Sequence, residues 1–81
     1  MGSLKRIGRP RPAAVEADPA GRPVKVDGRT VESVRESWLV RDRWWTRHPL
    51  RRRYWEVLTA GGHNVVVYQD VATGDWHRQA A

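Results

Sequence analysis

Valines, tryptophans and tyrosines recur along this chain in short runs, interleaved with polar residues and broken by glycine-containing turns. Residues 13–17 read as a short extended run, followed by the turn signal Asp18-Pro-Ala-Gly21. Pro23-Val-Lys-Val26 alternates, which predicts a half-buried strand with Val24 and Val26 on one face. Asp27-Gly28 is a strong hairpin signal. Residues 29–40 fit two patterns. Val31, Val34 and Trp38 have helical spacing, and Ser33-Val-Arg-Glu36 matches a capping box. Val34, Trp38 and Val40 equally share one face of a strand. The upstream hairpin needs a returning partner, so a long, bent strand is the expectation. Residues 53–59 place Trp55 and Val57 on one face and Tyr54, Glu56 and Leu58 on the other. Ala60-Gly-Gly-His63 is a turn, and residues 64–69 form a valine-rich strand. Val71-Ala-Thr-Gly74 turns again, with Asp70 as a turn-stabilising acceptor, and Trp76 sits in a last strand over residues 75–79.

The pattern predicts an all-β fold, a small antiparallel meander that forms a curled sheet or a partly open barrel. Residues 1–12 contain two prolines and no apolar periodicity. They read as a flexible, disordered basic tail, and residues 13–81 as one small β domain. Eighty-one residues without phenylalanine or cysteine must draw their core from valines, tryptophans and tyrosines. Trp38, Trp55 and Trp76 are the expected core anchors, because each lies within a strand-like run. The absence of cysteine removes disulfides and thiolate metal sites and points to a reducing, cytoplasmic setting. No apolar run is long enough to span a bilayer as a helix.

Charge changes the picture more than composition does. The net charge of +6 is concentrated in two places. Lys5, Arg6, Arg9 and Arg11 lie in the tail with no acid, and Gly8-Arg9-Pro10 is similar to the AT-hook core apart from Ile7 before it. Arg41, Arg43, Arg47, Arg51, Arg52 and Arg53 lie within thirteen residues against Asp42 alone. The remainder carries five basic and eight acidic residues. Such asymmetry suits an anionic partner. Trp44, Trp45, Tyr54 and Trp55 are interleaved with the internal arginines. Arginine forks match phosphate or carboxylate, and an aromatic ring offers a stacking face. Adjacent Trp44 and Trp45 point to opposite sides of an extended segment, so one is expected to pack and the other to stand exposed. Alternation likewise sends Arg51 and Arg53 to one side and Arg52 to the other.

The sequence contains no catalytic constellation. His48, His63 and His77 are scattered, with no nucleophile–base set and no zinc-ligand spacing. No enzyme activity, metal, cofactor or small-molecule substrate is expected.

Several landmarks together resemble a known domain. They are Gly28-Arg29, Val34-Arg-Glu-Ser-Trp38, Trp44-Trp45, Arg53-Tyr-Trp-Glu-Val57, Tyr68-Gln-Asp70 and Thr73-Gly-Asp-Trp76. Over roughly residues 22–79 the chain resembles the small C-terminal domain of actinobacterial ImuB-type proteins, relatives of Y-family DNA polymerases, which also occurs as free-standing small proteins. That resemblance implies a non-catalytic accessory module in DNA-damage tolerance, DNA repair and SOS mutagenesis.

The expected function is a binding module for single- or double-stranded nucleic acid. Arg41, Arg43, Arg47, Arg51, Arg52 and Arg53 would neutralise phosphates, and Trp44 or Trp45, with Tyr54, would stack on a base. Lys5, Arg6, Arg9 and Arg11 would add an electrostatic arm. The alternative is a protein-interaction module in a DNA-repair or translesion-synthesis assembly, with the same arginines on an acidic protein surface. A structural domain with a solvated basic loop is the third reading.

Overall fold

The computed structural model describes residues 10–42, 45, 47 and 49–80. Seven strands make one sheet: β1 (Arg11–Pro12), β2 (Val15–Ala17), β3 (Pro23–Val26), β4 (Arg29–Asp42), β5 (Leu50–Thr59), β6 (His63–Asp70) and β7 (Trp76–Ala80). Their spatial order is β1-β7-β6-β5-β4-β3-β2, and every neighbouring pair is antiparallel. The sheet is therefore a meander curled into a half-barrel, as the alternation and turn chemistry predict. Residues 29–42 are strand, which settles the choice between helix and strand there.

The N-terminal segment bridges the two edges of the curl. β1 pairs with β7, and β2 pairs with β3 at the opposite edge. Between them Ala13 N donates to Trp76 O at 3.1 Å, and Asp27 N donates to Ala14 O at 2.7 Å. Asp27 has φ 49° and Gly28 φ 82°, the left-handed pair of a type I′ hairpin turn. This conformation carries the Asp27 carboxylate back to the junction. Oδ1 accepts from Ala14 N at 2.9 Å, and Oδ2 pairs with Arg78 Nη1 at 3.0 Å. Arg11 and Pro12 thus belong to the sheet, which corrects the tail boundary at residue 12. An edge strand accepts Pro12 because one side of it needs no ladder donor. Lys5, Arg6 and Arg9, with the rest of the expected tail, lie outside the described residues.

The core occupies the inside of the curl. Val26, Trp55, Val57 and Val67 are buried there, with Val15, Val31, Val34, Val65 and Trp76 packed around them. Trp55 and Trp76 meet at 5.2 Å. Trp38 does not join them: it is 38% exposed and lies on the other face of the sheet. The cause is local. β4 carries extra residues at Glu32 and Arg35, where its register against β5 shifts. The second bulge separates Val34, which faces the core opposite Val57, from Trp38 and Val40, which lie opposite Tyr54 and Arg52. The expected common face of Val34, Trp38 and Val40 is corrected accordingly. A further shift between β2 and β3 leaves Val24 as the extra residue. Val24 is consequently exposed while Val26 is buried.

Candidate nucleic-acid interface

The outer part of the sheet is built differently from the core. β3 pairs only with Arg29 and Thr30 of β4, so beyond residue 30 β4 is an edge strand among the described residues. β4 and β5 continue together to the pairs Arg41–Arg51 and Asp42–Leu50, past the end of β6 at Asp70 opposite Arg52. In antiparallel pairs, directly opposed side chains share a face. The register therefore sorts the charges. Arg41, Arg51 and Arg53 fall on the concave face, in line with Ser37, Leu39, Trp55 and Gln69. Glu36, Asp42, Glu56 and Asp70 fall on the convex face with Arg52.

On the concave face Arg41 stands directly opposite Arg51. Like charges in that relation are destabilising without a counter-charge. None of Arg41, Arg51 and Arg53 forms an ion pair with a described residue. All three are exposed. The Arg53 guanidinium lies 5.6 Å from the centre of the Trp55 ring, a cation–π distance that holds it at the rim of the core. Beside it is an open depression of about 360 Å³ lined by Ala20, Arg22, Val34, Ser37, Arg53 and Trp55. Arg22 enters from the turn between β2 and β3. That turn is shaped by Asp18, whose Oδ1 accepts from Ala20 N and Arg22 N at 2.9 Å each. Arg22 is the one cation here that sequence reading missed. The Asp18-Pro-Ala-Gly21 turn was visible, but the side of the sheet it folds over was not.

The convex face holds a row of four rings across four strands: Trp38, Tyr54, Tyr68 and His77. Trp38 stacks on Tyr54 at 5.3 Å with planes 5° apart, Tyr54 meets Tyr68 at 5.0 Å, and Tyr68 meets His77 at 5.1 Å. Arg52 lies over the Tyr68 ring at 4.6 Å and donates from Nη1 to Tyr54 Oη at 3.5 Å. That hydrogen bond raises the guanidinium pKa above its ordinary value, with burial opposing. Burial pushes the Tyr68 hydroxyl up, with Arg52 opposing. Two expectations change as a result. Arg52 is half-buried and engaged with the tyrosines on the face away from Arg51 and Arg53, so it is not part of their cationic surface. Tyr54 has a ring neighbour on both sides, which leaves it no open face on which a base could stack.

The tip between β4 and β5 carries the remaining candidates. Trp45 is 66% exposed and Arg47 is exposed. Arg43, Trp44 and His48 lie outside the described residues. Arg11 is exposed and opposes Arg78 across β1 and β7, remote in register from Arg41, Arg51 and Arg53. Asp70 Oδ1 accepts from Ala72 N and Thr73 N, the turn-stabilising role expected of it. No group of three or more histidines, aspartates or glutamates among the described residues is placed to hold a metal ion. No helix among them is long and apolar enough to cross a membrane. Comparison of the chain with protein-family models, curated proteins and solved structures gives no match.

Proposed function

We propose that this protein is a non-catalytic binding module that holds nucleic acid on its concave face through Arg41, Arg51 and Arg53, with Arg22 at the margin. The observation that carries this reading is the segregation of charge by strand register. Three exposed arginines share one face with no strand acid beside them, and two of them directly oppose each other. A phosphate backbone supplies the counter-charge that the fold does not. Trp45 and Arg47 are exposed at the tip between the same two strands. The resemblance to the ImuB-type C-terminal domain suggests DNA-damage tolerance as the setting.

The test is a salt titration of binding to single- and double-stranded oligonucleotides, comparing the wild type with a variant carrying Arg41→Gln, Arg51→Gln and Arg53→Gln. Each phosphate contact contributes a slope of about 0.7 for single strands and about 0.9 for duplex in log affinity against log salt. The variant should lose about 2 units of slope on single strands, with its fold intact. Equal slopes for the two proteins, or no binding of either oligonucleotide by the wild type at low salt, would refute the reading.

A further inference from the structure

From the ring row we infer that Trp38 is a stacking site for one unpaired nucleobase, so that the nucleic acid bound is single-stranded; this rests on the concave-face reading above. The rings of Trp38, Tyr54, Tyr68 and His77 succeed one another from strand to strand, and the Trp38 and Tyr54 planes are 5° apart. The inner face of the indole is thus covered by Tyr54. Its outer face points away from β5, past the edge of β4. No strand pairs with β4 on that side beyond residue 30, and no described ring stacks there. The side chain is 38% exposed, although most of a tryptophan's surface is apolar.

The indole is also held in place. Tyr54 is fixed on its other side by Tyr68, which is only 3% exposed and is covered by Arg52. A platform backed by a ring row loses little freedom when a further ring arrives, so a base would simply extend the row outward. Position supports the same conclusion. Trp38 adjoins Leu39, which stands opposite Arg53, and Arg41 follows two residues beyond Leu39 on the concave face. Trp38 lies on the convex side of this edge and Arg41 on its concave side, so a strand that crosses over the open β4 edge can put a base against Trp38 while its phosphates reach Arg41 and the concave face beyond it. A base inside a duplex has both its faces stacked already and cannot do this. Aromatic stacking of this type accepts any base, because every base has a π-face.

The experiment measures binding of a short oligodeoxythymidylate, an oligouridylate of equal length and the abasic oligomer of that length to the wild type, Trp38→Ala and Trp38→Tyr. Trp38→Ala should weaken binding of the tighter of the two base-bearing strands by roughly 5- to 150-fold. It should leave the abasic oligomer and the salt slope unchanged, and Trp38→Tyr should recover most of the loss. The tighter strand identifies DNA or RNA as the source of the base. Equal binding of the base-bearing strands by wild type and Trp38→Ala would overturn the inference. So would an equal loss on the abasic oligomer, or no recovery in Trp38→Tyr. The two readings fail separately. A loss confined to Trp38→Ala, with the arginine variant unaffected, refutes the concave-face reading and leaves the stacking site standing. A loss confined to the arginine variant does the reverse.

Discussion

Strand β5 carries two surfaces of opposite character on one backbone. Over residues 55–59 its inward side chains are Trp55, Val57 and Thr59, all buried, with Val15 of β2 and Val26 of β3 packed in the core that Trp55 and Val57 share. Over residues 51–53 the same side of the strand presents Arg51 and Arg53, both exposed, and nothing from β2 or β3 pairs across this outer part. The alternation is continuous through both halves. What changes is whether a second layer covers the face. Coverage makes the first half a core, and its absence makes the second half a cationic surface. Stability and binding are therefore expected to separate along β5.

The largest effect should come from the covered half. Trp55→Ala removes a side chain 6% exposed that meets Trp76 and sits under Arg53. The expected loss is about 3–5 kcal/mol in urea denaturation, comparable with much of the stability of so small a domain. Leu39→Ala, on the same face but 41% exposed, should cost less than about 1 kcal/mol. If the two substitutions cost the same, the division between core and surface halves is wrong.

A smaller effect should come from the junction that closes the covered half. Asp27→Ala loses the acceptor for Ala14 N and the pair with Arg78, and it leaves a left-handed residue without a side chain that tolerates it. About 1–2 kcal/mol of stability should be lost. Asp27→Asn keeps the acceptor and the turn preference, so it should lose only the partly exposed ion pair, less than about 1 kcal/mol. Equal losses in the two variants would mean that the ion pair, and not the turn, holds the edges together.

How much of this was legible depends on what breaks a strand's alternation. Trp55 and Val57 were placed correctly because β5 runs without interruption. Trp38 was misplaced because the bulge at Arg35 shifts its parity relative to Val34, and no residue type announces a bulge in that position. Val24 was misplaced for the same reason. The Tyr54–Tyr68 contact could have been found. With a turn centred on Gly61, residue numbers of opposed pairs across β5 and β6 are symmetric about it, and 54 then falls opposite 68. The segregation of Arg51 and Arg53 from Arg52 followed from alternation alone. What Arg52 does instead required the ring row.

The smallest effect tests the convex face. The Tyr68 hydroxyl is pushed above the ordinary tyrosine value of 10.0 by burial. Folding thus favours its protonated form, and that contribution is complete below the unfolded value. It is lost as pH rises through the folded one. The denaturation midpoint of the wild type should fall as pH rises past 10.0, and that of Tyr68→Phe should fall less. Parallel declines in the two proteins would show that Tyr68 is not buried enough to matter.

The bridging of both sheet edges by residues 11–17 also bears on how the chain reaches this state. Every other strand pairs with its neighbour in sequence, and such hairpins close short loops quickly. Among the described residues, the strand pairs that join opposite ends of the chain are Arg11 with Arg78 and Pro12 with His77, continued by the bond from Ala13 N to Trp76 O. Closing so long a loop is slow, and it gains nothing until the β7 hairpin is already in place. The N-terminal strand is therefore expected to dock last. Until it does, β7 offers an unpaired edge, and the N-terminal strand of a second molecule could take that place as readily as its own, which makes strand exchange at high concentration the characteristic folding error of this architecture.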